Sequence, residues 1–229
     1  MPEICLAIDT LQPTGLILAY ANKQAADQVV SAIEALGGKA LAIKANVESA
    51  QEGANLIAEI GKTYGKIDIL VNNAGVFEMV PLDKVDLAHY DRIFDVNVKG
   101  VIDITIAALP HINDGGRIIN ISSGAADATM AGASIYSATK SALDTLSRVW
   151  AQDLGKRQIT VNSVSPGVTV TDMMKNGVPE AGQQYMIDKT ALGRLGEPAD
   201  IADVVAFIAS ADARWITGRK INVDGGLSI

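Results

Sequence analysis

Tyr136 and Lys140 stand four residues apart in the run SIYSATKSALDTL, a spacing that sets both side chains on one face of a helix. An ammonium beside a phenol stabilises phenolate and lowers a pKa that starts at about 10, which turns tyrosine into an acid or base usable near neutrality. The spacing alone is a weak signal, because Tyr185 and Lys189 repeat it in a stretch that reads as a loop and a short helix. Context separates the two pairs. Ser123 ends a strand-length run upstream of Tyr136, and only Tyr136 opens a long Ala-rich helical pattern able to hold its lysine in register.

Strand-length apolar runs bounded by Gly, Asn, Ser or Pro occur at 16–20, 40–45, 67–71, 117–121, 160–164 and 220–223. Amphipathic helical patterns lie between them at 24–36, 50–64, 87–109, 134–154 and 198–210. Such alternation predicts βαβ units, hence an α/β fold with a Rossmann-like, doubly wound parallel sheet. Ligands of these sheets bind at the carboxyl ends of the strands. Small or amide residues occupy those places: Asn46, then Asn72-Asn73-Ala74-Gly75, Ser122-Ser123-Gly124 and Ser165-Pro166-Gly167. Any one of these could be an ordinary turn; four together leave room for a flat ligand and supply hydrogen bonds.

The 229 residues, 48% hydrophobic and 20% charged, exclude a disordered chain and predict a single domain spanning 1–229. Frequent glycine (21 residues) and scarce aromatics (4%) argue for a core of Ala, Val, Ile and Leu and against a sandwich or a carbohydrate-binding module. With 19 basic and 26 acidic residues the net charge is −7, which would repel a phosphate backbone, so nucleic acid is not an expected partner. Cys5 is the only cysteine, and His89 and His111 lack metal-ligand spacing, so no metal site is expected and a reducing cytoplasm is the natural compartment. No run is long and apolar enough to span a membrane, and Glu3 stands where a signal peptide would be basic.

With these residues in view the chain resembles a short-chain dehydrogenase/reductase, of the kind that includes 3-oxoacyl-(acyl carrier protein) reductases. The resemblance rests on NNAG at 72–75, Asn97 in VNVKG, INISS ending at Ser123 and YSATK at 136–140. It continues through SPGVTVTDM from 165, RLGEPADIADVVAFIAS from 194 and ITGRKINVDGG from 216, and covers the chain from Ile4 onward. It implies an oxidoreductase that interconverts a ketone or 3-oxoacyl group and a secondary alcohol. Tyr136 would be the general acid/base. Lys140 would lower its pKa and hold the nicotinamide ribose, Ser123 would bind the substrate carbonyl, and Asn97 would orient Lys140 through a water. Asn46 matches the adenine contact, Asn72, Ala74 and Gly75 the segment along the adenosine ribose, and Pro166, Gly167, Val168 and Thr171 the loop at the carboxamide and phosphates. After the strand at 16–20 the chain runs Ala21-Asn22-Lys23, with no carboxylate for a ribose 2′-hydroxyl. NADP(H) is therefore favoured over NAD(H), with Asn22 and Lys23 near the 2′-phosphate.

The family's first strand and its Thr-Gly-x-x-x-Gly-x-Gly turn are not found in these residues. Thr14-Gly15 leads straight into a strand, and 3–11 matches the helix that should follow the turn, with Pro2 at its start. Were residues 4–8 instead the first strand, too few residues would remain for a parallel crossover. The turn brings backbone N–H groups to the pyrophosphate. The strand lies in mid-sheet, so without it the strands at 16–20 and 67–71 either pair directly or receive a displaced or borrowed segment. Two functions follow. One is a reductase whose N-terminal strand and turn precede these residues; the other is a non-catalytic relative, deficient in cofactor binding, that serves as an oligomerising structural protein.

Ile102, Ile106 and Leu109 on one long helical pattern, with Leu143, Leu146 and Trp150 on another, exceed what one sheet surface covers and predict a homo-oligomer, tetramer or dimer. Residues 173–192 resemble the family's substrate lid, and Met173, Met174, Tyr185 and Met186 there fit an apolar pocket for a small carbonyl or alcohol substrate.

Overall fold

Short Val-, Ile- and Leu-rich runs closed by polar residues form the strands expected of them. A computed structural model describes residues 16–20, 23–171, 174 and 180–227. The strands are β1 (Leu16–Tyr20), β2 (Ala40–Lys44), β3 (Ile67–Asn72), β4 (Ile112–Ile121), β5 (Thr160–Pro166) and β6 (Lys220–Val223). The helices are α1 (Lys23–Ala35), α2 (Ala50–Tyr64), α3 (Leu87–Phe94), α4 (Gly100–Ala108), α5 (Ser134–Leu154), α6 (Glu180–Lys189) and α7 (Pro198–Ala209). Every paired strand is parallel, in the orders β1-β2 and β3-β4-β5-β6. Among the described residues no ladder joins β1 to β3, so direct pairing of those two strands, one of the expected alternatives, is not observed. The predicted helix at 3–11, together with Asn22 and Met173, lies outside the described residues.

Alternation along β4 explains the layers. Ile118 faces a core built with Leu56, Ile57 and Ile60 of α2, Ile104 and Ala108 of α4 and Ala151 of α5. Its neighbour Ile119 faces the other core, built with Val205, Ile208 and Ala209 of α7. Each fully buried isoleucine contributes on the order of 2 kcal/mol. Ile17 and Ala19 of β1 and Ile43 of β2 pack on the first core, so both sheets share it. No described helix is long and apolar enough to cross a membrane.

Two elements depart from the expected bounds for physical reasons. Strand β4 begins at Ile112 rather than 117, because a bulge opposite Ile67–Ile69 lets pairing resume beyond Gly115-Gly116. A Cβ on Gly116 would stand 2.7 Å from the Ile112 side chain and 2.9 Å from the Asn113 carbonyl, so no larger residue fits that bulge. The expected helix at 87–109 is interrupted by a π turn, Asp95–Lys99, that periodicity does not register.

A buried polar chain ties the layers together. Asn72 Nδ2 donates to Asn120 Oδ1 at 2.8 Å and to Thr105 Oγ1 at 3.1 Å; Asn120 Nδ2 donates to Ser147 Oγ at 2.9 Å. Asn120→Ala is expected to lower stability by about 1–2 kcal/mol, seen as a lower urea midpoint at unchanged slope. The loss stays modest because Asn72 keeps Thr105 and Ser147 still donates to the Leu143 carbonyl.

Candidate active site

Ser123 follows β4 in an extended conformation and caps a 3₁₀ turn, Gly124–Ala126, its Oγ accepting from Ala125 N at 3.2 Å. Tyr136 and Lys140 occupy the first two turns of α5, which packs on β4 and β5. Two hydroxyls anchor that start: Thr139 Oγ1 donates to the Tyr136 carbonyl at 2.6 Å, and Ser122 Oγ donates to the Lys140 carbonyl at 3.1 Å. Ser123 hydrogen-bonds Tyr136, whose ring meets the edge of Phe77 at 4.8 Å between centroids.

Lys140 is buried, its Nζ donating to the Ile121 carbonyl at 2.9 Å and lying 5.8 Å from the Tyr136 ring centroid. Lys189 Nζ lies at the same 5.8 Å from the Tyr185 ring, on α6, the short helix of a stretch read as a loop and a short helix. Pair geometry does not distinguish the two; surroundings do, since Tyr185 is 57% exposed and Lys140 only 4%. Burial pushes the Tyr136 phenol above its ordinary value, and the Ser123 hydrogen bond opposes this. Lys140 itself is pulled down to about 8 by burial, with Asp144 working in the opposite direction.

Asn97 sits in the π turn and is fully buried. Its Oδ1 accepts from Val76 N at 2.8 Å, and its Nδ2 donates to the Val76 carbonyl at 2.9 Å and to Thr139 Oγ1 at 3.1 Å. It thereby clamps the chain after β3 to α5. A Cβ on Gly75 would stand 3.3 Å from Lys140 Nζ and 3.4 Å from Asn97 Oδ1, so a larger residue there would press on both groups.

The other expected residues fall in three places. Asn72 points into the sheet–helix interior, its amide bound to Thr105 and Asn120, and not outward to a ligand. Pro166, Gly167, Val168 and Thr171 follow β5: Gly167 N donates to the Val223 carbonyl, Val168 O accepts from Gly196 N, and Thr171 Oγ1 accepts from Met174 N at 3.4 Å. Ala74 lies between Asn73 and Gly75 at the end of β3, half-buried. Lys23 and Asn46 lie at the ends of β1 and β2. Lys23 Nζ pairs with Asp27 at 2.7 Å, and the Asn46 side chain closes a turn on Glu48 N at 3.1 Å. Sequence reasoning missed Phe77, Thr139 and the anchoring role of Ser122, whose partners are distant in sequence.

A family model for enoyl-(acyl carrier protein) reductase matches residues 12–228. An uncharacterized oxidoreductase of Methylorubrum extorquens is 47% identical over 219 residues, 93% of this chain and 87% of its own. Among solved structures, a short-chain dehydrogenase/reductase from Serratia marcescens superposes with a TM-score of 0.88 at 39% identity, over 94% of this chain and 87% of its own. A short chain dehydrogenase from Burkholderia cenocepacia, solved in complex with NADP, has a TM-score of 0.87 at 37% identity over the same shares.

Proposed function

The chain belongs to the short-chain dehydrogenase/reductase family, and we propose that it is an NADP(H)-dependent oxidoreductase that interconverts a ketone or 3-oxoacyl group and a secondary alcohol. The convergence of Ser123, Tyr136 and Lys140 at the end of β4 carries this reading.

The site fits a nicotinamide dinucleotide. Gly75 keeps the space beside Lys140 and Asn97 free of a side chain, and Lys140 Nζ donates to one backbone carbonyl at 2.9 Å, which leaves further N–H donors for ribose hydroxyls. When bound, the cofactor gives or takes the hydride at the carbon that bears the substrate oxygen. Ser123 Oγ donates to that oxygen and holds it beside the phenol. In the reducing direction Tyr136 passes its hydroxyl proton to the oxygen as negative charge builds there; in the oxidising direction it takes the proton back. Charged Lys140 favours the tyrosinate this leaves. Asn97 holds the loop that borders both, and we assign it the orientation of Lys140 through a bridging water.

Preference for NADP(H) is supported by the lack of a carboxylate in Ala21-Asn22-Lys23 and by the position of Lys23 at the start of α1. Its exposed i,i+4 pair with Asp27 is worth only about 0.3–0.5 kcal/mol. Steady-state reduction of a ketone panel should give a KM for NADPH about tenfold or more below that for NADH, since one charge-assisted contact is worth roughly 1.5–3 kcal/mol. An equal or inverted ratio removes the preference. No binding of NADPH by calorimetric titration favours the alternative, a non-catalytic, oligomerising relative. A homo-oligomer, dimer or tetramer, belongs to either reading and is supported by exposed Ile106, Val149 and Trp215.

A further inference from the structure

One turn of α5 beyond Lys140, a second charged group is buried where the mechanism makes no use of it. Asp144 is 7% exposed, on the face of α5 that also carries Lys140 and Ser147. Its Oδ2 accepts from Lys220 Nζ at 3.1 Å, while its Oδ1 has no hydrogen-bond partner among the described residues. Lys220 opens β6, its side chain 20% exposed, and pairs also with Asp127, which follows the 3₁₀ turn capped by Ser123. Tyr136, Lys140, Asp144, Lys220 and Asp127 thus form a line of alternating charge from the phenol to the surface. A carboxylate this enclosed is stable only with cations beside it. Lys220 of β6 is in contact with it, and Lys140 lies one turn away on its own helix.

We propose that Asp144 and Lys220 are positioning residues of the acid–base centre: Asp144 keeps the proton on Lys140, and Lys220 limits how strongly it does so. The inference rests on the reading of Tyr136 and Lys140 as the acid–base pair. Its physical basis is screening by sign. An anion one helical turn from an enclosed ammonium favours the charged form, and a cation bound to that anion cancels part of its field. The direction of Asp144's influence on Lys140 agrees, raising a group that burial depresses. Several other charged groups on and around α5 are engaged elsewhere. Arg148, on α5 itself, bonds Thr145; His89 of α3 meets Glu78, which Arg92 also holds; Asp95 pairs with Lys99; and Arg157, beyond the far end of the helix, pairs with Asp114.

The test is the sign of two shifts. In the reducing direction both members of the Tyr136–Lys140 pair must carry their protons, so kcat/KM falls as pH rises through the pair's first deprotonation. Asp144→Asn should move that limb to lower pH by about one unit, and Lys220→Met should move it to higher pH by a smaller amount. The ¹³Cζ resonance of Tyr136, followed by NMR titration of the free protein, should show the same opposite displacements without any substrate. A purely structural role would lower rates in both variants and leave the limb and the resonance where they are. Limbs and resonances that stay put, or that move the same way in both variants, overturn the proposal. Opposite NMR displacements in a protein that reduces no ketone support the charge line and remove the reductase reading instead. If Asp144→Asn does not fold, Lys220→Met at its partly exposed position carries the test alone, and a limb and resonance that fail to move to higher pH overturn it.

Discussion

Tyr136→Phe is expected to lower kcat and kcat/KM for carbonyl reduction together, by about a thousandfold, while the dissociation constant of NADPH changes by less than about threefold. Only the hydroxyl is removed. The ring keeps its edge contact with Phe77, and Ser123 keeps its bond from Ala125 N, so the pocket retains its shape. What disappears is a proton donor needed only as charge develops on the substrate oxygen; a thousandfold loss corresponds to about 4 kcal/mol of transition-state stabilisation. Ser123 does not replace it, because an aliphatic alcohol is a far weaker acid than a phenol. Stopped-flow kinetics under single turnover, with NADPH affinity measured separately, separates the two quantities. Full activity in the variant would remove Tyr136 from the reaction, and a matching loss of NADPH binding would make its role one of binding.

That Tyr136 was legible before its surroundings were known follows from how local its signal is. Strand ends are marked by a change from apolar runs to Asn, Gly and Ser, and helix faces by the i,i+4 rule. Ser123, Tyr136 and Lys140 could therefore be placed together from spacing read with its context, the strand-length run before Ser123 and the long helical pattern that Tyr136 opens. Signals carried by distant partners were not legible. Asn72 reads as a strand-end amide and points inward because Asn120, 48 positions on, accepts its hydrogen bond. The π turn at Asp95–Lys99 is invisible to a periodicity of 3.6, because the helix beyond it, GVIDITIAA, is apolar at most positions and carries little phase against which one extra residue would show. Spacing likewise puts an ammonium beside the phenol but says nothing of how completely both are withdrawn from water.

Asn97→Ala should cost more in stability than Asn120→Ala, about 2–3 kcal/mol, and lower Tm by about 8 °C. Both asparagines are fully buried, but their partners differ. When Asn120 is truncated, Asn72 and Ser147 keep alternative partners; when Asn97 is truncated, the Val76 N–H and C=O lose the amide that meets both. Thr139 is indifferent, because its hydroxyl still donates to the Tyr136 carbonyl at 2.6 Å. The cost therefore falls on the segment after β3. That segment carries Gly75 beside Lys140 Nζ and Phe77 against the Tyr136 ring, so its release should disturb both members of the acid–base pair. Activity measured well below the lowered Tm should accordingly fall by tenfold or more, a barrier increase of about 1.4 kcal/mol, in kcat more than in KM. Scanning calorimetry and steady-state kinetics on one preparation separate the effects. An unchanged Tm with lost activity would make Asn97 a proton-relay residue alone, and a lowered Tm with full activity would make the clamp purely structural. Loss of both is what a side chain that holds both backbone groups of Val76, and with them Gly75 beside Lys140 and Phe77 against Tyr136, must produce.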